Sequence, residues 1–185
     1  MSRALIVLAL LPCLGAAACG QPAGSPTGRP GQPSIMAQPP PAVRLRPAAD
    51  AILSDQAVGG ARRGGHDHLT AEQAASEQPD QAAALAEYAG WGWLDGASRK
   101  WSTADETLVI TARPDGAARA LDYWSRDAQG RCTPAATAGL DECRLGVSGD
   151  RAVVVGRLSS AVFRLQCPAP AAERLAAAQA QSLHP

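Results

Sequence analysis

An α+β domain, a small antiparallel sheet with helices packed on one face, is the fold class this sequence predicts. Three observations lead there. Helical and extended segments follow one another in the order α, β-β, α, β-β-β, α. Short polar or glycine-containing turns, at 102–106 and at Gly149-Asp150, join extended runs into hairpins. Ahead of them lies a proline- and glycine-rich stretch that cannot build a core, so the domain is expected to fill the later part of the 185 residues.

The chain opens with Arg3, an apolar run over 4–14 and then Ala16-Ala17-Ala18-Cys19. The run is far short of the roughly 20 residues a spanning helix needs, so residues 1–18 read as an export signal peptide. A cysteine directly after small residues resembles the lipobox of bacterial lipoproteins, whose thiol receives a diacylglyceryl group before cleavage. Cys19 is therefore the expected lipidation site, although Ala16 stands where leucine is usual. The alternative is an ordinary secretory signal cut after Ala18. Cys13 lies within the apolar run and leaves with the signal.

Residues 19–69 are expected to form a disordered, lipid-anchored linker, and 70–185 an extracytoplasmic α+β domain. Pro22, Pro26, Pro30, Pro33, Pro39, Pro40, Pro41 and Pro47 punctuate the linker. Proline lacks a backbone donor and favours extended geometry, while interleaved glycines remove stiffness. A short helical turn fits 48–53, after which Gly59-Gly60 and Gly64-Gly65 return the chain to disorder.

Thr70-Ala71-Glu72-Gln73 has the pattern of a capping box, in which the Thr70 hydroxyl and the Gln73 side chain each satisfy the other's backbone amide. Pro79 divides this helix from a second over 80–89, with Ala82, Leu85, Ala86 and Ala89 on its apolar face and Gly90 as its stop. Next, Trp91, Trp93, Ala97 and Trp101 share one face of an extended segment by period two, with Asp95-Gly96 able to introduce a bulge. The β-branched run 107–111 is the clearest strand and pairs antiparallel with the tryptophan segment. Pro114-Asp115-Gly116 leads into a helix over 117–128 with Ala117, Leu121, Trp124 and Ala128 as its buried stripe. Strands follow at 144–147, 151–158 and 161–167. A terminal amphipathic helix over 171–182 then uses Leu175, Ala178 and Leu183.

Charge excludes one class of partner. Seventeen basic and 17 acidic residues give a net charge of +0, with only the doublets Arg62-Arg63 and Arg99-Lys100. There is no basic footprint for nucleic acid and no polybasic membrane patch. Outside the cytoplasm disulfides are permitted. Cys132, Cys143 and Cys167 remain after export, and Cys132 with Cys143 is the preferred pair because they flank a loop with little else to order it. Cys167 is then a buried thiol or an intermolecular partner.

The remaining motifs are weak. His66-Asp67-His68 presents two imidazoles on one side of an extended chain, but glycines flank it and the only other histidine is His184, so a solvated loop is expected and no metal. Ser159-Ser160 lacks the G-x-S-x-G setting of a nucleophile elbow. Asp95, Asp105, Glu106 and Asp122 show no arrangement that defines an acid–base pair. No catalytic residue and no cofactor is assigned. Trp101 and Trp124 are expected in the core, whereas Trp91 and Trp93, separated only by Gly92, are the candidates for lining a ligand groove.

The stretch Tyr88-Ala-Gly-Trp91-Gly-Trp93-Leu-Asp95-Gly96-Ala-Ser-Arg99-Lys-Trp101, with Leu108-Val-Ile110 and Gly116-Ala117-Ala118-Arg-Ala120-Leu121, resembles a pattern in actinobacterial extracytoplasmic lipoproteins. It is also similar to the sensor domains of some mycobacterial Ser/Thr kinases and their lipoprotein relatives. That group shares no common activity, so the resemblance carries over no site. Together these readings lead to the expectation of a binding or interaction module, anchored through its N-terminal lipid to the extracytoplasmic face of a bacterial membrane. Its partner would be an envelope glycan, peptide or protein. An enzyme acting on envelope polymers and a purely structural envelope protein are the alternatives.

Overall fold

A computed structural model describes residues 44–185; the expected signal peptide, Cys19 and the part of the expected linker up to 43 lie outside these described residues. Seven strands form one sheet: β1 (Arg62–His66), β2 (Trp93–Trp101), β3 (Asp105–Thr111), β4 (Gly130–Arg131), β5 (Glu142–Ser148), β6 (Arg151–Leu158) and β7 (Ala161–Pro168). Their spatial order is β1-β2-β3-β7-β6-β5-β4, with every neighbouring pair antiparallel. The α+β class and both expected hairpins, β2–β3 and β5–β6, are present. Pairing of β3 with β7, Leu108 opposite Phe163, joins them into one sheet.

Helices cover both faces of this sheet, not one. Alternation along the strands sends Leu108, Val154, Phe163 and Leu165 to a core under α1 (Ala48–Ala51), α2 (Asp55–Val58), α6 (Pro134–Thr137) and α7 (Ala172–Leu183). It sends Val109, Val155 and Val162 to a second core under α3 (Ala71–Ser76), α4 (Gln81–Trp91) and α5 (Pro114–Trp124). The reason lies in the central strands, where consecutive residues such as Leu108-Val109 and Val154-Val155 are apolar. Such runs need cover on both sides.

The linker expected over 19–69 does not extend through 44–69. Ala48, Ala51, Ile52 and Leu53 are buried on the α7 face, and β1 adds an edge strand to the sheet. Polar groups of the sheet take up the backbone that a proline- and glycine-rich segment leaves unpaired. Asp95 Oδ2 accepts from the Ala48 amide at 2.8 Å, and Arg99 donates to the carbonyls of Ala49 and Leu53 at 3.0 and 2.7 Å. Glu106 Oε2 accepts from the Leu53 amide at 3.0 Å, the Trp101 indole donates to Asp55 at 2.7 Å, and Gln179 donates to the Ala51 carbonyl at 3.0 Å. The glycines of β1 allow close approach: a Cβ on Gly65 would fall on the Ser98 carbonyl.

The capping box forms as expected, with Thr70 Oγ1 accepting from the Gln73 amide and Gln73 Oε1 from the Thr70 amide. The apolar face expected for the following helix does not. Ala82, Ala86 and Ala89 are exposed, and Ala84, Tyr88 and Trp91 are buried. The same 3.6-residue period is present but rotated, because the two aromatic side chains remove far more apolar area from water than alanines can.

Candidate functional site

The second core contains an aromatic cluster assembled by two helices and a strand start. Asp80 caps α4 by accepting from the Ala83 amide at 3.0 Å, which sets the helix phase that turns Tyr88 and Trp91 inward. Left-handed Gly92, at φ 68°, ends the helix and returns the chain as β2. Pro114 opens α5, and Gly116 lies so close to the Trp91 carbonyl that a Cβ would meet it. Trp91 is the hub. Its ring centroid lies 4.4 Å from Tyr88, 5.5 Å from Tyr123, 5.4 Å from Trp124 and 6.4 Å from Trp93, the Tyr123 and Trp124 contacts being edge-to-face.

Beyond the hub the cluster opens as a cleft of about 260 Å³, lined among others by Tyr88, Tyr123, Trp124, Arg126, Asp127 and Arg164. Arg164 lies on β7 opposite Thr107 of β3 and Val155 of β6, so strand alternation turns it under the α3–α5 layer. Among the described residues no carboxylate comes within 4.0 Å of its guanidinium. Its neighbour two residues on, Gln166, accepts from the two terminal guanidinium nitrogens at 3.2 and 2.7 Å when its amide oxygen faces them. Burial pushes Arg164 below the ordinary arginine range, while Tyr88, Asp127 and Asp105 at longer range pull it upward. Burial pushes the Tyr88 phenol up, opposed by its bond with the Trp124 side chain.

The rim is also set. The Arg126 guanidinium lies 4.4 Å from the Tyr123 ring centroid, a cation–π contact, and Glu77 pairs with Lys100 at 2.9 Å. No serine, cysteine or histidine lines the cleft. It offers aromatic faces, the Arg164 guanidinium, the Thr107 hydroxyl and the carboxylates of Glu77 and Asp127.

Two tryptophan expectations are overturned. Trp91, expected to line a groove, is 2% exposed and at the centre of the core. Trp124, expected in the core, is only half-buried and walls the cleft. The helix stripe did contain Ala117 and Leu121, but Trp124 lies at the last turn of α5, where the layer of helices ends. Trp93 is half-buried, with its indole donating to the Leu69 carbonyl at 3.2 Å, and it borders a separate surface hollow of about 420 Å³ beside Leu94 and His68. Trp101 is buried as expected.

Cys132 and Cys143 form the expected disulfide, with Cα atoms 5.6 Å apart, while Cys167 is a free, buried thiol that burial pushes up. The carboxylates considered for catalysis are dispersed. Asp95 caps α1, Asp122 pairs with Arg144 at 2.7 Å, and Glu106 is buried beneath α1 and α2. Among the described residues no group of three or more His, Cys, Asp or Glu could hold a metal ion, and no helix is long and apolar enough to cross a membrane.

No family model, curated protein or solved structure matches this chain. The site therefore rests on its own geometry. Sequence reasoning missed Tyr88, Tyr123, Arg126 and Arg164. The usable signal was Val162-x-Arg164-x-Gln166 on one face of a strand otherwise apolar, since a charge there is conspicuous once both faces of the sheet are covered.

Proposed function

We propose that this protein is a binding module of a bacterial cell envelope, lipid-anchored through Cys19, whose ligand enters the cleft between Tyr123, Trp124 and Arg164. The observation that carries the binding reading is Arg164. Its guanidinium is partly buried on the cleft wall beside Gln166, and among the described residues no carboxylate lies within ion-pair distance, so donors remain for a ligand entering the cleft. Aromatic walls with a few convergent polar groups are the usual composition of a small-molecule site. The membrane attachment is supported by Ala16-Ala17-Ala18-Cys19 after the apolar run, and by the resemblance of residues 88–124 to actinobacterial surface lipoproteins.

Full-length protein in detergent, titrated with solubilised envelope glycan and peptide fragments, should show a saturable change in tryptophan fluorescence. Tyr123→Ala should weaken that binding about tenfold or more while leaving the circular dichroism spectrum unchanged, because its ring supplies one wall of the cleft. Undiminished binding by Tyr123→Ala and Trp124→Ala alike would remove the cleft from the function. Independently, mass spectrometry of protein from its native membrane should find a diacylated Cys19, and an unmodified N-terminal Cys19 would overturn the anchor.

A further inference from the structure

We infer that the group recognised by Arg164 is the single carboxylate of a ring-bearing ligand, an assignment that rests on the binding reading above and specifies its chemistry. Three features of the cleft lead to this class. First, Gln166 accepts from the two terminal nitrogens of the guanidinium, leaving its remaining N–H donors to make a fork with a planar acid group. Carboxylate matches that fork in geometry.

Second, the surrounding charge sets the valence of the anion. Asp127 and Asp105 act on Arg164 from beyond ion-pair reach, and Asp127 lines the cleft itself. Glu77, also on the lining, is occupied by Lys100. On the positive side, Arg126 is held over Tyr123. With Asp127 on the lining and a single guanidinium on the cleft floor, a monoanion is favoured over a doubly charged phosphate, whose second charge would meet repulsion from that aspartate.

Third, size and walls fix the body. The space of about 260 Å³ is just below the usual ligand-site range of roughly 300–1,000 Å³ and is bounded by the rings of Tyr88, Tyr123 and Trp124. One six-membered ring stacked on an aromatic face fills it, with its acid group reaching Arg164. Aromatic acids and acidic sugars share this chemistry.

Calorimetric titration of the full-length protein separates them and tests the assignment. The probes are phenylacetate and glucuronate against their uncharged counterparts phenylacetamide and glucose. At least one acid should bind about tenfold or more tighter than its counterpart, the gain expected of a charge-assisted fork. Arg164→Gln should reduce the acid to the level of the neutral probe, and Arg164→Lys, which keeps charge but not the fork, should fall between them. Preference for phenylacetate or for glucuronate identifies the ligand body. Equal binding of acid and neutral probes to the unmutated protein would overturn the carboxylate and leave the binding reading standing. Failure of all four probes would overturn the ring-carboxylate assignment, while saturable binding of envelope fragments sensitive to Tyr123→Ala would keep the cleft.

Discussion

Trp91→Ala should unfold the domain or lower its thermal midpoint steeply. The side chain is 2% exposed and touches Tyr88, Trp93, Tyr123 and Trp124, so its removal opens a hole that four other rings cannot refill. Truncation of a buried tryptophan costs about 3–5 kcal/mol, a large share of the roughly 5–15 kcal/mol that holds a typical domain together. Trp124→Ala should be markedly milder, because that ring is only partly buried and makes a single edge contact to the hub. Urea denaturation followed by circular dichroism measures both. Equal loss from the two variants would mean that Trp124 belongs to the core and that the cleft is a packing defect.

Stability should also fall as pH rises through the neutral range, and Glu106 is the group responsible. Its carboxyl is fully buried beneath the junction of α1 and α2, and desolvation raises its pKa from 4.5 to about 8, against the opposing effects of the Leu53 amide and Arg99. The folded state therefore holds a proton that the unfolded chain releases above about 4.5. The contribution is complete below that value and is lost progressively up to about 8, where the folded carboxyl ionises as well. Across this window the loss is on the order of a few kcal/mol. Glu106→Gln keeps an acceptor for Leu53 and removes the ionisation. It should match the parent near pH 5, exceed it near pH 8 and flatten the dependence between. A parent protein whose urea midpoint is unchanged from pH 5 to 8 would contradict this account.

These residues also show where sequence reading works. Local rules delivered the Thr70–Gln73 capping box, the two hairpins and the Cys132–Cys143 pair, because each depends on neighbours a few residues away. The helical turn expected over 48–53 is present as α1, but the docking of this segment was illegible because it comes from Asp95, Arg99, Glu106 and Gln179, partners that lie 47, 50, 53 and 128 residues along the chain. The tryptophans were misassigned for a related reason. Period two correctly placed Trp101, but Trp91 belongs to the end of a helix, so a strand rule was applied to a residue with helical phase. The cleft was illegible until the second helical layer was known, since only that layer puts Arg164 on the wall of an enclosed space.

The docking of α1 on α7 has a kinetic consequence. Ala51 is held by Gln179, 128 positions later, and Arg174 donates to the Ala57 carbonyl, 117 positions earlier. By contrast the β2–β3 and β5–β6 hairpins close over a few residues and can form as soon as their strands exist. Closure of such long loops loses chain entropy before it gains contacts, which slows folding. A ribosome delivers the N-terminal end first, so residues 48–58 wait with their apolar side chains uncovered until the last helix has been made. These early-made residues are thus among the last of the described ones to acquire their native neighbours, and a chain truncated before Ala172 should leave them open to proteases even where both hairpins have formed.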